Sequence, residues 1–127
     1  MSTEVAVLGA GPYGLSTAAH LQRAGVEVRV FGRTMAFWRE RMPSGMFLRS
    51  GWQASHIADP TRELTLDAYE EARGRTLERP VPLTDFVDYG EWFSKLPGQS
   101  GYGWVSQPRE VLDAGGIHKD GRLDTLA

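Results

Sequence analysis

Gly9-Ala10-Gly11-Pro12-Tyr13-Gly14 stands directly after Glu4-Val5-Ala6-Val7-Leu8 and directly before an apolar, alanine-rich run from Leu15 to Ala24. The first segment reads as a buried parallel strand and the last as a helix, which makes the glycines a strand-to-helix turn. Gly9 supplies the tight turn, Gly11 lets phosphate oxygens approach the backbone, and Gly14 lets the helix pack closely on the strand. Amides at the helix N-terminus and the helix dipole then face negative charge without any basic side chain. This is the arrangement that receives a dinucleotide pyrophosphate.

The flanking residues extend the pattern. Pro12 fits the first helical position, where a missing N–H costs little, and Leu15, Ala18 or Ala19, and Leu21 or Gln22 keep a helical spacing. Gly25 ends the helix, and Val26-Glu27-Val28-Arg29-Val30-Phe31 reads as a second strand with its valines on one face. The expected fold class is therefore α/β, built on a Rossmann-like βαβ dinucleotide-binding unit.

At the end of the second strand such units usually carry an acid that accepts hydrogen bonds from the adenosine ribose. Here the position is Gly32, followed by Arg33. Arg33 could pair with a 2′-phosphate, which favours NADP, could stack on adenine or bridge the phosphates of FAD, or could be a solvated loop residue.

Composition narrows the remaining classes. The chain has 127 residues, enough for one domain, and 14 basic against 16 acidic side chains leave a net charge of −2. The arginines are interleaved with acids, so no basic field points to nucleic acid. No apolar stretch approaches a membrane span, and Met1-Ser2-Thr3-Glu4 runs into the first strand without a cationic signal region, so a cytoplasmic location is expected. With no cysteine, a dithiol relay, a disulfide framework and a thiolate metal site are ruled out. His20, His56 and His118 lie far apart with no metal-binding spacing, so neither a metal site nor a catalytic triad is expected.

Beyond Arg33 the chain becomes rich in Met and aromatic residues. A short helix before Pro43, a turn and an extended stretch are expected through Ser50, with Phe37, Trp38, Met42, Met46 and Phe47 filling core space or walling a planar ring. Thr65 is placed to cap a helix over 66–73, with Leu66, Tyr69 and Ala72 on one side and Gly74 as the stop. Thr84 is placed to cap another, along which Phe86, Tyr89, Phe93 and Leu96 recur until Pro97-Gly98. Residues 98–127 read as a loop-rich or partly disordered tail, leaving 1–97 as the dinucleotide-binding domain.

The glycine turn, Phe37-Trp38-Arg39, Met46-Phe47-Leu48-Arg49-Ser50 and Pro82-Leu83-Thr84-Asp85-Phe86-Val87-Asp88-Tyr89-Gly90-Glu91-Trp92-Phe93 together resemble the N-terminal part of FAD-dependent oxidoreductases related to the flavin-containing monooxygenases. The resemblance covers residues 3 to about 96. It implies FAD as cofactor, with Gly9, Gly11, Pro12, Tyr13 and Gly14 at the pyrophosphate and Gly32 and Arg33 at the adenosine end. Trp38, Arg39, Leu48, Arg49 and Ser50 are then the residues near the flavin. It also implies NAD(P)H as reductant in the full-length family, whose members carry a second GxGxxG and a returning C-terminal segment.

This chain carries only the one GxGxxG and replaces the ribose acid by Gly32. It therefore reads as an incomplete flavoprotein unit, or alternatively as a non-catalytic NADP- or dinucleotide-binding module or truncated product. Two strands make an under-built sheet, so Val5, Val7, Val28 and Val30 are expected to remain partly uncovered, with self-association through that surface.

Overall fold

The computed structural model describes residues 5–95. Strand β1 (Val5–Leu8) leads through the glycine turn into helix α1 (Pro12–Arg23), and strand β2 (Val28–Phe31) returns parallel to β1, with Val5 opposite Val28 and Leu8 opposite Phe31. The expected α/β βαβ unit is present, and its sheet has two strands among the described residues. Helix α1 ends as its sequence dictates, with Gly25 in the left-handed region at φ +83°.

Burial on the sheet differs from the expectation. Val28 and Val30 are buried beneath α1 with Ala10 and Ala18, and only Val5 and Val7 remain half-covered. The reason is the closeness of α1. Its small residue Ala18 faces the sheet, while Leu15 and Ala19 turn toward a second, helical layer.

That layer consists of helix α2 (Ala36–Arg41), a single 3₁₀ turn (Trp52–Ser55), helix α3 (Leu66–Arg73) and helix α4 (Leu83–Lys95). Helix α3 has the expected ends: the Thr65 hydroxyl accepts from the Ala68 amide, and Gly74 closes the helix at φ +67°. Leu66 and Tyr69 are buried, whereas Ala72 faces solvent. Helix α4 starts one residue before the expected cap, so Thr84 lies within its first turn; the Pro82 carbonyl accepts the Phe86 amide there. Phe86, Tyr89 and Phe93 form its core face, and Gly90 accommodates the fully buried Met35, whose side chain fills the space a Cβ would need. Phe37 and Phe47 are exposed, while Trp38, Met42 and Met46 pack against the core. Leu96 and the tail read over 98–127 lie outside the described residues. No helix among those described is long and apolar enough to cross a membrane.

The Tyr89 hydroxyl knits the loop between the 3₁₀ turn and α3 to α4. It accepts from the Ile57 amide at 3.0 Å and donates to the Leu64 carbonyl at 2.6 Å, and its burial pushes the phenol pKa up. Tyr89→Phe strands a buried amide and a carbonyl together, and should cost about 1–3 kcal/mol in a urea melt. An unchanged midpoint would show that water or a shifted loop satisfies both groups.

Candidate dinucleotide-binding site

The glycine turn sits at the C-terminal end of the parallel strands, where α/β sheets place their ligands. Gly9 adopts φ +113°, a conformation side chains disfavour, while its amide donates to the Phe31 carbonyl at 2.8 Å and ties the turn to β2. The Ala10 carbonyl accepts the Met35 amide at 2.9 Å, which fixes the start of α2 against the same turn. Gly14 is where α1 comes closest: a Cβ there would lie 1.8 Å from the Gly9 carbonyl oxygen. Gly32 packs on the turn as well, its position for a Cβ being 3.4 Å from the Ala10 amide nitrogen.

Gly11 differs from the crowded Gly14 and Gly32, and from Gly9, which shares its open surroundings but not its backbone conformation. Its backbone is extended, at φ −87° and ψ −170°, and a Cβ added to it would meet nothing within 4 Å. The space above the turn is open. Helix α1 begins there with Pro12 at its first position and with no side-chain cap and no acid in its first turn. The Tyr13 and Gly14 amides are too early in the helix to find a carbonyl four residues back, and they stand at the positive end of the helix dipole. A cradle of this shape and polarity fits a pyrophosphate.

A cleft of about 370 Å³ opens from the same helix end. Pro12, Tyr13 and Ser16 of α1 form one side, Trp38 of α2 and Phe86 of α4 another, and Leu48, Ser50 and the segment from Ala54 to Ala58 the rest. Trp38 and Phe86 meet edge to face with centroids 4.9 Å apart, which holds the indole in place. Tyr13 is 90% exposed at the rim. The far wall is tied to α1 by Ser16, whose hydroxyl donates to the Ala58 carbonyl at 2.7 Å.

The polar groups of the cleft are bonded to one another and to the backbone. The buried Ser55 hydroxyl lies 2.9 Å from the Gly51 carbonyl, which can accept from it, and 2.7 Å from the Ser50 hydroxyl, a pair in which either oxygen can donate. His56 accepts the Leu66 amide on Nδ1 at 3.0 Å, which puts the proton of the neutral ring on Nε2, 3.6 Å from Asp67. Asp59, buried, accepts from the Glu63 and Leu64 amides and from Thr61, and so shapes the loop that follows the wall.

The structure brings Gly9, Gly11, Gly14 and Gly32 together in the turn and gathers Pro12, Tyr13, Trp38, Leu48 and Ser50 around the cleft. The three arginines go elsewhere. Arg33 forms a two-pronged ion pair with Glu40, Nη1 to Oε1 at 2.5 Å and Nη2 to Oε2 at 2.8 Å, whose hydrogen bonds hold the Glu40 carboxyl below its usual range. Arg39 is paired with Glu91 of α4, and Arg49 is exposed outside the cleft lining. Sequence reasoning missed Ser16, Ser55, His56 and the Ala54–Ala58 wall, which carry no short motif. Phe86, whose helical spacing favours core over cofactor contact, belongs to both the core and the cleft wall.

A family model described as an FAD binding domain matches residues 2–45, about a third of the chain. The matched stretch spans β1, the glycine turn, α1, β2 and α2. It supports an FAD-binding N-terminal region of the kind found in flavoproteins. No curated protein and no solved structure matches the chain.

Proposed function

We propose that this chain binds FAD as the N-terminal part of a flavin-dependent oxidoreductase, monooxygenase-like in type, that draws its electrons from NAD(P)H. One observation carries the reading: the residues matched to an FAD binding domain are those that build the open, uncapped turn over Gly11. In this reading Gly9, Gly11 and the first-turn amides of α1 hold the pyrophosphate, and Gly32 and Arg33 border the adenosine. Trp38, Leu48 and Ser50 border the flavin along the cleft, while Arg39 is held by Glu91 and Arg49 lies outside the cleft lining.

A bound FAD supplies the redox chemistry itself, reversibly accepting hydride. The chain's part is to orient and shield. Trp38 offers a flat apolar surface held by Phe86, and the Ser50 lone pairs offer an acceptor for an N–H or O–H of the cofactor. His56 keeps its two nitrogens turned to Leu66 and Asp67, so it stiffens the wall and does not serve as a base. The resemblance running on through Phe93 supports the monooxygenase-like class and the NAD(P)H requirement.

The test is a fluorescence titration of FAD with the purified chain. Saturable quenching of flavin emission is expected, and Trp38→Ala should weaken the affinity about tenfold, through the loss of roughly 1–1.5 kcal/mol of ring contact. Flavin emission that does not respond to the wild-type chain would overturn the proposal.

A further inference from the structure

The Arg33–Glu40 pair lies at the adenosine end of the proposed site. Arg33 follows Gly32, which packs on the Gly9-Ala10 turn, and Glu40 reaches it from the last turn of α2, the helix anchored to the same turn through the Met35 amide. Both terminal nitrogens of the guanidinium are engaged, each with a different carboxylate oxygen. That fork is the group that elsewhere grips a phosphate, because two parallel N–H donors match two oxygens. Here the carboxylate already satisfies it. A dianionic 2′-phosphate arriving at this place meets a neutralised arginine and the negative charge of Glu40 beside it.

We propose that Glu40 is the selectivity residue of the adenosine end: by holding both arms of Arg33 it excludes a 2′-phosphate, so that the site takes an adenosine diphosphate with a free 2′-hydroxyl, as in FAD, and refuses NADP. This rests on the dinucleotide reading of the turn. It also assigns a job to an acid that stands seven residues after Arg33, where the usual ribose acid is replaced by Gly32. The pair is exposed on both sides, with side chains 45% and 42% accessible, so removing the carboxylate frees the arginine without opening a core.

The experiment measures the calorimetric affinities of the full chain for 5′-ADP and for adenosine 2′,5′-bisphosphate, in the wild type, Glu40→Gln, Glu40→Ala and the Arg33→Ala/Glu40→Ala double variant. The wild type should bind 5′-ADP and discriminate against the 2′-phosphate. Both single variants should keep their 5′-ADP affinity and shift the ratio toward the 2′-phosphate by about tenfold or more. The double variant should lose that gain, since it has no arginine to release. A ratio unchanged within about twofold in Glu40→Ala, with 5′-ADP still bound, overturns the selectivity role and leaves the FAD site standing. A gain that persists in the double variant also overturns it, because the effect would then be bulk charge. Wild-type protein that binds neither probe overturns both the selectivity role and the dinucleotide reading.

Discussion

Gly11→Val should abolish FAD binding, by a factor of about a hundred or more, in a protein that remains folded. The expectation comes from two features of one residue. Its extended backbone suits valine, and a Cβ at this position would meet no atom within 4 Å beyond its chain neighbours, so the branch point itself displaces nothing. That same space is where a pyrophosphate must come to reach the first-turn amides of α1. Losing two hydrogen bonds to a charged group, at roughly 1.5–3 kcal/mol each, gives the factor. Stability should fall by only about 1 kcal/mol, the cost of a β-branched residue at a helix N-cap. Calorimetric titration with FAD alongside a circular dichroism melt reads both quantities. Wild-type affinity in the variant would mean that the phosphates lie elsewhere.

Gly14→Ala should do the opposite, damaging the fold first. Its Cβ would be 1.8 Å from the Gly9 carbonyl oxygen and 2.9 Å from the carbonyl carbon, both of them backbone. No rotamer relieves such a contact. Helix α1 must withdraw from β1, which pulls Ala18 away from Val28 and Val30 and moves Leu15 and Ala19 in the second core. A loss of about 3 kcal/mol or more is expected from urea denaturation, at the upper end of what overpacking costs. A wild-type midpoint would contradict the close approach of helix and strand on which the site is built. Together the two glycines separate the parts of the motif: one keeps room for a ligand, the other keeps the helix close.

The βαβ unit was legible because its determinants are local. Glycine positions, valine alternation and Pro12 each act within a few residues, as do Thr65 and Gly74 at the ends of α3. Errors occur where a distant partner decides. The second strand begins at Val28 and not at Val26, because the Val26 amide is taken by the Leu21 carbonyl in the turn that ends α1. Helix α4 starts ahead of Thr84 because its entry is set by the Phe47–Pro82 bridge and the Leu83 amide bonded to the Met46 carbonyl, 37 positions away in the sequence. The exposure of Phe37 and Phe47 could not be read from residue type alone, since a short helix and a single bridge give no period to assign a face.

The site divides in the same way. The turn was readable, while the cleft was half readable. Trp38, Leu48 and Ser50 came from the resemblance and do meet around one space. The opposite wall, Ala54 to Ala58, reaches α1 through the Ser16 bond to Ala58, a contact across 42 positions that no motif announces. From sequence, Arg33 is an open choice between a 2′-phosphate, adenine, the phosphates of FAD and solvent. Its engagement by Glu40 is a matter of side-chain geometry between a loop and a helix, which no local pattern encodes.

FAD is proposed to sit at the Gly11 turn. The most direct test is to incubate the purified chain with excess FAD, pass it through gel filtration and record the absorbance of the protein peak. A yellow peak carrying one flavin per chain is expected, with wild-type elution but no flavin in Gly11→Val. A wild-type peak that elutes colourless, with all the FAD in the small-molecule fractions, would contradict the proposal.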